Sequence, residues 1–133
     1  MPSIASYQKF ITQQVTRELA TPEGSTELAT LDGTTYVCLP DGARLPEVQH
    51  AEIAASIVLD VELTDALRDE IKAVSPHVRL INRRVVDRLR ERYSLDDEIK
   101  LIRLAPSAES SAYNDYVEEC RAWGRAQKAA FGL

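Results

Sequence analysis

Leu28-Ala29-Thr30-Leu31-Asp32-Gly33-Thr34-Thr35-Tyr36-Val37-Cys38-Leu39 decides the fold class. Two short arms flank Asp32-Gly33, and Asp-Gly suits a two-residue type I′ turn because both turn positions need positive φ. The second arm is β-branched and aromatic, as strands prefer. The stretch therefore predicts a β-hairpin, in a chain whose other signals are mostly helical. A lone hairpin is marginal in water, so a third strand or a covering helix is expected. Pro40-Asp41-Gly42 turns the chain again, and Pro46 blocks regular structure in residues 43–50. A short helical turn is expected over 51–56. Beyond it Ile57, Leu59, Val61 and Leu63 alternate with Val58, Asp60 and Glu62. That alternation predicts the third strand, with one wet face.

Downstream of the sheet the pattern changes to helical spacing. Thr64 is placed to cap a helix whose inward positions are Leu67, Ile71 and Val74. Ser75 is expected to cap the next, with Pro76 at its first position, because proline there forgoes only an N–H that has no partner anyway. Its apolar positions are Val78, Ile81, Val85 and Leu89, continuing to Tyr93. Ser94-Leu95-Asp96-Asp97 is close to a capping box and starts a helix with the stripe Leu95, Ile99 and Ile102. Pro106-Ser107 opens the last, which carries Tyr113, Tyr116, Val117, Cys120 and Trp123 at helical intervals, with Gly124 beside them.

Upstream of the hairpin, Ile4, Tyr7, Ile11, Val15 and Leu19 recur at spacings of three and four, with Phe10 and Gln14 flanking them. One narrow apolar stripe with a Gln- and Thr-rich opposite face predicts an amphipathic N-terminal helix, of the sort that docks on a body or a partner. Thr21-Pro22-Glu23-Gly24-Ser25 is expected to end it as a linker. The predicted organisation is α+β: a docking helix and linker over 1–25, then one globular domain over 26–133. In that domain a small antiparallel sheet, hairpin plus third strand, occupies about 27–63 and a helical bundle about 64–131. Deleting residues 1–20 is then expected to leave a folded body and abolish partner binding.

Composition bounds the function. At 133 residues, with 44% hydrophobic and 28% charged side chains, the chain is of ordinary globular make-up. A domain of this size buries roughly two thirds of its unfolded surface, so it needs neither disulfide nor metal to fold. Net charge is −5, which disfavours general affinity for nucleic acid or an anionic membrane. No apolar run approaches the roughly 20 residues that span a bilayer. The N-terminus lacks a basic region followed by an apolar core, so no signal peptide is expected.

No group of residues reads as catalytic machinery. Cys38 and Cys120 are 82 positions apart and make no metal-ligand spacing, so both read as buried free thiols. His50 and His77 belong to no nucleophile–base pattern visible in spacing. Asp96-Asp97-Glu98 points in three directions on a helix, so these carboxylates do not converge on one ion, and their place at a helix start already accounts for them. The helix from Pro76 holds Arg79, Arg83, Arg84, Arg88, Arg90 and Arg92 against Asp87 and Glu91. Pairing with the acidic segment 94–119, with Arg83–Asp87 as an i,i+4 pair, reads that charge as a solvated or paired face. The other readings are a surface for an acidic protein partner and one for nucleic acid, although a DNA interface would normally come with a basic domain. Tyr113, Tyr116 and Trp123 read either as core against the preceding helices or as an exposed anchor for a partner. The candidate partner-binding residues are therefore Ile4, Tyr7, Ile11, Val15 and Leu19, with Arg84 and Arg88 on the basic helix. No catalytic, cofactor-binding or metal-binding residue is assigned.

Two stretches, Leu80-Ile81-Asn82-Arg83-Arg84-Val85-Val86-Asp87-Arg88-Leu89-Arg90-Glu91-Arg92-Tyr93-Ser94-Leu95-Asp96-Asp97-Glu98-Ile99-Lys100-Leu101-Ile102-Arg103 and Tyr113-Asn114-Asp115-Tyr116-Val117-Glu118-Glu119-Cys120-Arg121-Ala122-Trp123-Gly124, carry a family resemblance. They resemble the C-terminal part of small accessory proteins of tailed bacteriophages, found with tail and tail-fibre components. The resemblance extends over roughly residues 28–133, and its motifs are mostly helix caps and apolar spacing. It implies a non-enzymatic virion protein without cofactor. Its partners would be other phage tail proteins, the tail fibre among them, with no nucleic acid and no membrane; self-association is left open. One implied role is a structural piece of the tail tip, baseplate or fibre attachment. Another is a tail-fibre assembly chaperone that works in the host cytoplasm and is absent from the mature virion. A third reading, a phage-encoded inhibitor of a host protein that uses an acidic surface, fits less well because the Arg-rich helix breaks up any surface of one sign.

Overall fold

The computed structural model describes residues 2–133. The fold is α+β, with a three-stranded antiparallel sheet and five helices among the described residues. The chain divides into two compact units: Met1–Val78 with Ala130–Leu133, and Arg79–Ala129.

The first unit is built on β1 (Ser3–Tyr7), β2 (Thr26–Leu31) and β3 (Thr34–Leu39) in the order β1-β3-β2. Strands β2 and β3 form the hairpin expected at Asp32-Gly33, and both turn residues have positive φ, 48° and 83°. The sheet's second partnership overturns the expected N-terminal helix. Ser3–Tyr7 is a strand that pairs antiparallel with β3, Ile4 opposite Cys38 and Tyr7 opposite Thr35. The helical spacing of Ile4, Tyr7, Ile11, Val15 and Leu19 misleads because this strand is buried on both faces. Ile4 packs on one side of the sheet, while Ala5 and Tyr7 pack on the other. A doubly buried strand has no period-two alternation to read.

The expected third strand over 57–63 is reduced to a bridge. Val58 and Ser6 exchange backbone hydrogen bonds of 2.8 and 2.9 Å, and the Val61 N–H donates to the Ile4 carbonyl at 2.8 Å. Asp60 between them has φ of 51°, a left-handed conformation that interrupts a ladder. This segment nevertheless satisfies the outer edge of β1. The opposite edge strand, β2, carries a register shift between Glu27 and Ala29, a bulge of the kind that blunts exposed edges.

Both faces of the sheet are covered. On one, Ala5, Tyr7, Leu19, Val37, Leu39 and Ile53 form a cluster flanked by Leu45 and Ile57. Ile53 comes from α1 (Ala51–Ala54), the expected helical turn. On the other, Ile4, Leu28, Ala29, Cys38 and Ile71 meet Leu67, Phe131 and Leu133. Ile71 belongs to α2 (Asp65–Val74), whose Thr64 cap accepts the Leu67 N–H as its sequence predicts. The segment 21–25 is a turn and no free linker: the Ser25 N–H and hydroxyl both donate to the Pro22 carbonyl, and Gly24 has φ of 87°. Residues 1–20 thus contain a strand and Leu19 of the core, so their removal takes away part of the sheet unit.

Helix α3 (Pro76–Arg90) starts in the first unit and continues in the second, where α4 (Leu95–Arg103) and α5 (Ala108–Ala129) follow. The start of α4 is a complete capping box: Ser94 Oγ accepts the Asp97 N–H and the Asp97 carboxylate accepts the Ser94 N–H. Ser107 and Ser110 cap α5 reciprocally. Ser75 departs from the expectation. It stands before Pro76 with extended dihedrals, but its buried hydroxyl has no hydrogen-bond partner, so its side chain caps nothing. Gly124 lets α5 come close to α3, since a Cβ there would lie 2.6 Å from Val85 Cγ2. Among the described residues, no helix is long and apolar enough to cross a membrane.

Candidate functional site

In the sheet unit, the chain leaving β1 makes a tight excursion before returning to the core at Leu19. Phe10 and Thr16 bridge in antiparallel fashion. The Ile11 N–H donates to the Val15 carbonyl at 2.9 Å and the Arg17 N–H to the Lys9 carbonyl at 2.9 Å. Thr12 closes the turn with its hydroxyl, which accepts the Val15 N–H at 3.0 Å and the Gln14 N–H at 3.2 Å. A threonine hydroxyl bonding backbone two and three residues on is a turn device. The result is a short hairpin-like loop with Phe10, Ile11 and Val15 on its surface, each between 37% and 49% exposed.

The base of that loop is pinned by charge. Lys9 Nζ lies 2.7 Å from Glu27 and 3.7 Å from Glu18. Partial burial works against the ammonium, yet the hydrogen bond and charge of Glu27, helped by Glu18, outweigh it, and the Lys9 pKa stands above the ordinary lysine value. Arg17 reaches Glu52 at 3.6 Å. The Gln49 amide clamps Ala20 from both sides, accepting its N–H and donating to its carbonyl, each at 2.9 Å.

Of the residues expected to bind a partner, Ile4, Tyr7 and Leu19 are therefore core of the sheet unit, and Ile11 and Val15 are on its loop. The five do not lie on one face, because no helix joins them. Phe10, which sequence reasoning leaves beside the stripe, belongs with Ile11 and Val15. The clustering of Tyr7, Phe10, Ile11, Thr12, Val15 and Thr16, residues that favour strands, is the signal that reveals a β-type excursion.

In the helical unit Arg88 and Arg90 at the end of the basic helix, with Arg92 just beyond it, are engaged by neighbouring side chains. The Arg88 guanidinium sits 4.6 Å over the Trp123 ring and that of Arg92 4.8 Å over Tyr116. The Tyr116 hydroxyl donates to the Arg88 carbonyl at 2.8 Å. Arg90 pairs with Glu98 at 3.1 Å, and Glu98 also accepts the Tyr113 hydroxyl at 2.6 Å. Tyr93 and Tyr113 meet edge to face with centroids 5.1 Å apart. The aromatic stripe is thus packing surface for α3 and α4. Arg84 is exposed. The expected Arg83–Asp87 pair is not among the ion pairs of the described residues, while Arg90 does reach the acidic segment.

No family model, curated protein or solved structure matches this chain. Cys38 and Cys120 are buried free thiols, and burial pushes the Cys38 thiol up, away from the reactive thiolate. His77 stacks at 5.8 Å on Phe131 and His50 precedes α1. No group of three His, Cys, Asp or Glu is placed to hold a metal ion among the described residues. A cleft of about 570 Å³ in the helical unit is lined by Arg92, Tyr93, Asp97, Lys100, Leu101, Leu104, Ser107 and Glu109. Of its two acids, Asp97 is committed to the Ser94 capping box, whose hydrogen bonds hold its carboxyl below the ordinary value. Glu109 stands in the first turn of α5, where the helix dipole favours an acid. Among the described residues, the exposed apolar groups include the Phe10–Ile11–Val15 tip and Leu95, Ile99 and Ile102 on the outer face of α4.

Proposed function

We propose that this protein is a non-enzymatic attachment protein of a bacteriophage tail, joining tail-tip, baseplate or fibre components through the loop at Phe10, Ile11 and Val15. The observation that carries the attachment role is the loop itself. Three apolar side chains stand out on a turn held by backbone hydrogen bonds and Thr12, on the flank of a sheet packed on both faces. A pre-shaped apolar tip loses little conformational freedom on binding, so more of its contact energy remains as affinity. Binding residues on loops carried by a rigid scaffold are the common arrangement. The assignment to a tail rests on the resemblance of residues 28–133 to small tail accessory proteins.

The test is capture of the tail-fibre and baseplate proteins by the purified chain. Phe10→Ser with Ile11→Ser should leave the circular dichroism spectrum unchanged, because both side chains already stand partly in solvent, and should abolish capture. Equal capture by the variant overturns the loop as the attachment surface. Mass spectrometry of purified virions then assigns the stage: a stoichiometric component is a tail part, and its absence moves the protein to tail-fibre assembly in the host cytoplasm.

A further inference from the structure

Helix α4 is built with its apolar side outward. Among the described residues it is the one helix with no buried side chain. Its half-buried positions are Glu98, held by Arg90 and Tyr113, and Leu101 on the wall of the cleft. Leu95, Ile99 and Ile102, spaced by four and three, are between 45% and 67% exposed. The Ser94–Asp97 capping box fixes where the helix begins. Three large aliphatic side chains on one rigid face, rimmed by charge, mark an interaction surface.

The charges beside the stripe identify the occupant. Asp96 and Arg103 are seven residues apart, so two helical turns place them on the same flank of the stripe, one near each end. With Leu95, Ile99 and Ile102 read as d, a and d of a heptad, both occupy e positions. When two helices pair antiparallel, the e flank of one faces the e flank of the other. A second α4 laid antiparallel across the first, with the two-fold axis near Ile99, therefore sets Leu95 against Ile102 of the other copy. The same operation sets Asp96 against Arg103, twice. A parallel arrangement would bring the acidic starts Asp96 and Asp97 of both copies together and align the two helix dipoles. The face is thus self-complementary under a two-fold operation, the property of an isologous interface.

We propose that the protein forms a homodimer by antiparallel pairing of α4 with α4 of a second copy. The inference is independent of the tail reading, which uses a different surface on the sheet unit. A patch of three side chains per subunit falls below the roughly 1,200 Å² of a standard interface, so the dimer is weak and forms with rising concentration.

Sedimentation velocity from micromolar to near-millimolar protein reads it directly. The weight-average mass of the wild-type chain should rise from monomer toward dimer. Ile99→Asp should stay monomeric throughout. Asp96→Arg and Arg103→Asp alone should each raise the dissociation constant about tenfold or more, because like charges then face each other twice. Mixing these two single variants should restore dimerisation as a heterodimer, since one then presents only guanidinium groups along this flank and the other only carboxylates. All three substitutions are at exposed positions, and unchanged circular dichroism verifies the fold. A wild-type chain that remains monomeric over the whole range, or a mixture that associates no better than either single variant, overturns the proposal. Capture of tail proteins by Ile99→Asp separates the two readings, because loss of the dimer leaves the loop intact.

Discussion

The two units of this chain solve opposite problems. In the sheet unit β1 and β3 bury side chains on both faces, and the loop 8–17, the turn 21–25 and the segment 58–61 are held by hydrogen bonds of their own. In the helical unit only Ile81, Ser110, Cys120 and Gly124 are buried among the described residues, and much of the cohesion between helices comes from half-exposed rings, guanidinium stacking and the Arg90–Glu98 ion pair. Amphipathic sequence is present in both. Most of it is covered internally in the first unit, apart from the loop residues Phe10, Ile11 and Val15, whereas in the second the α4 stripe is left facing solvent. An apolar stripe establishes that a face seeks cover, and only the fold says whether the cover is the chain itself.

The largest expected effect puts that contrast to a direct test. Leu28, on β2, is fully buried in the cluster with Ile4, Cys38 and Ile71, so Leu28→Ala should cost about 2–5 kcal/mol of unfolding free energy. Ile99→Ala removes a similar volume from an exposed face and should change stability by less than about 0.5 kcal/mol. Urea unfolding followed by circular dichroism measures both. Comparable losses would mean that α4 is core and would remove the basis for its pairing.

Next in size is the one tight helix contact in the second unit. Alanine gains roughly 1 kcal/mol over glycine in a helix interior. At Gly124 that gain is opposed by a Cβ placed 2.6 Å from Val85 Cγ2, a β-branched side chain with little rotamer freedom. Gly124→Ala should therefore destabilise by about 1–3 kcal/mol. Adding Val85→Ala should return part of the loss, and a double variant no better than the sum of the singles would show that the clash is not the cause.

A smaller pair of effects has opposite signs at two serines that look alike in sequence. Ser94 is half of a capping box, so Ser94→Ala should cost about 1 kcal/mol. Ser75 also stands before a helix, yet its buried hydroxyl bonds to nothing, and Ser75→Ala should stabilise by about 1 kcal/mol by removing an unsatisfied polar group. Thermal melts of the two variants should move in opposite directions.

These serines also mark how far sequence reaches. The Asp32-Gly33 hairpin, the α1 turn, the Thr64 cap and the Ser94 box are legible because each is a local bond between residues a few positions apart. Ser75 misleads because its neighbours, and not its position, decide whether the hydroxyl finds a partner. The N-terminal strand is hidden since its partner β3 lies some thirty residues on and both of its faces are buried. The strand expected at 57–63 fails at one residue, Asp60, whose left-handed backbone no alternation pattern reveals. Of the candidate surface, Ile11 and Val15 emerge from a helical spacing that the fold does not use, with Phe10 at its edge. The α4 stripe is visible in full, but helical periodicity carries no information about which way the stripe faces.

The smallest effect is electrostatic and lies where the helical unit depends on half-buried polar contacts. Glu98 is held below the ordinary glutamate value, first by its hydrogen bond with Arg90 and then by the Tyr113 hydroxyl. Tyr113 is pushed up to about 12, first by burial and then by Glu98. A depressed carboxyl contributes stability that is present above its unfolded value, about 4.3, and is lost as pH falls through the folded value. A raised phenol contributes stability that is present below its unfolded value, about 10, and is lost as pH climbs toward the folded value. The trio therefore contributes between those limits and fades on both sides. Unfolding free energy against pH for wild type minus Glu98→Gln should form a plateau that falls away below pH about 4.3, the unfolded glutamate value. Tyr113→Phe should leave most of the acid limb, because Arg90 is the leading cause there. It should shrink the alkaline limb without abolishing it, since burial also raises Tyr7 and Tyr116. A Tyr113→Phe profile that overlays wild type above pH about 10 would show that the Glu98 contact does not couple to folding.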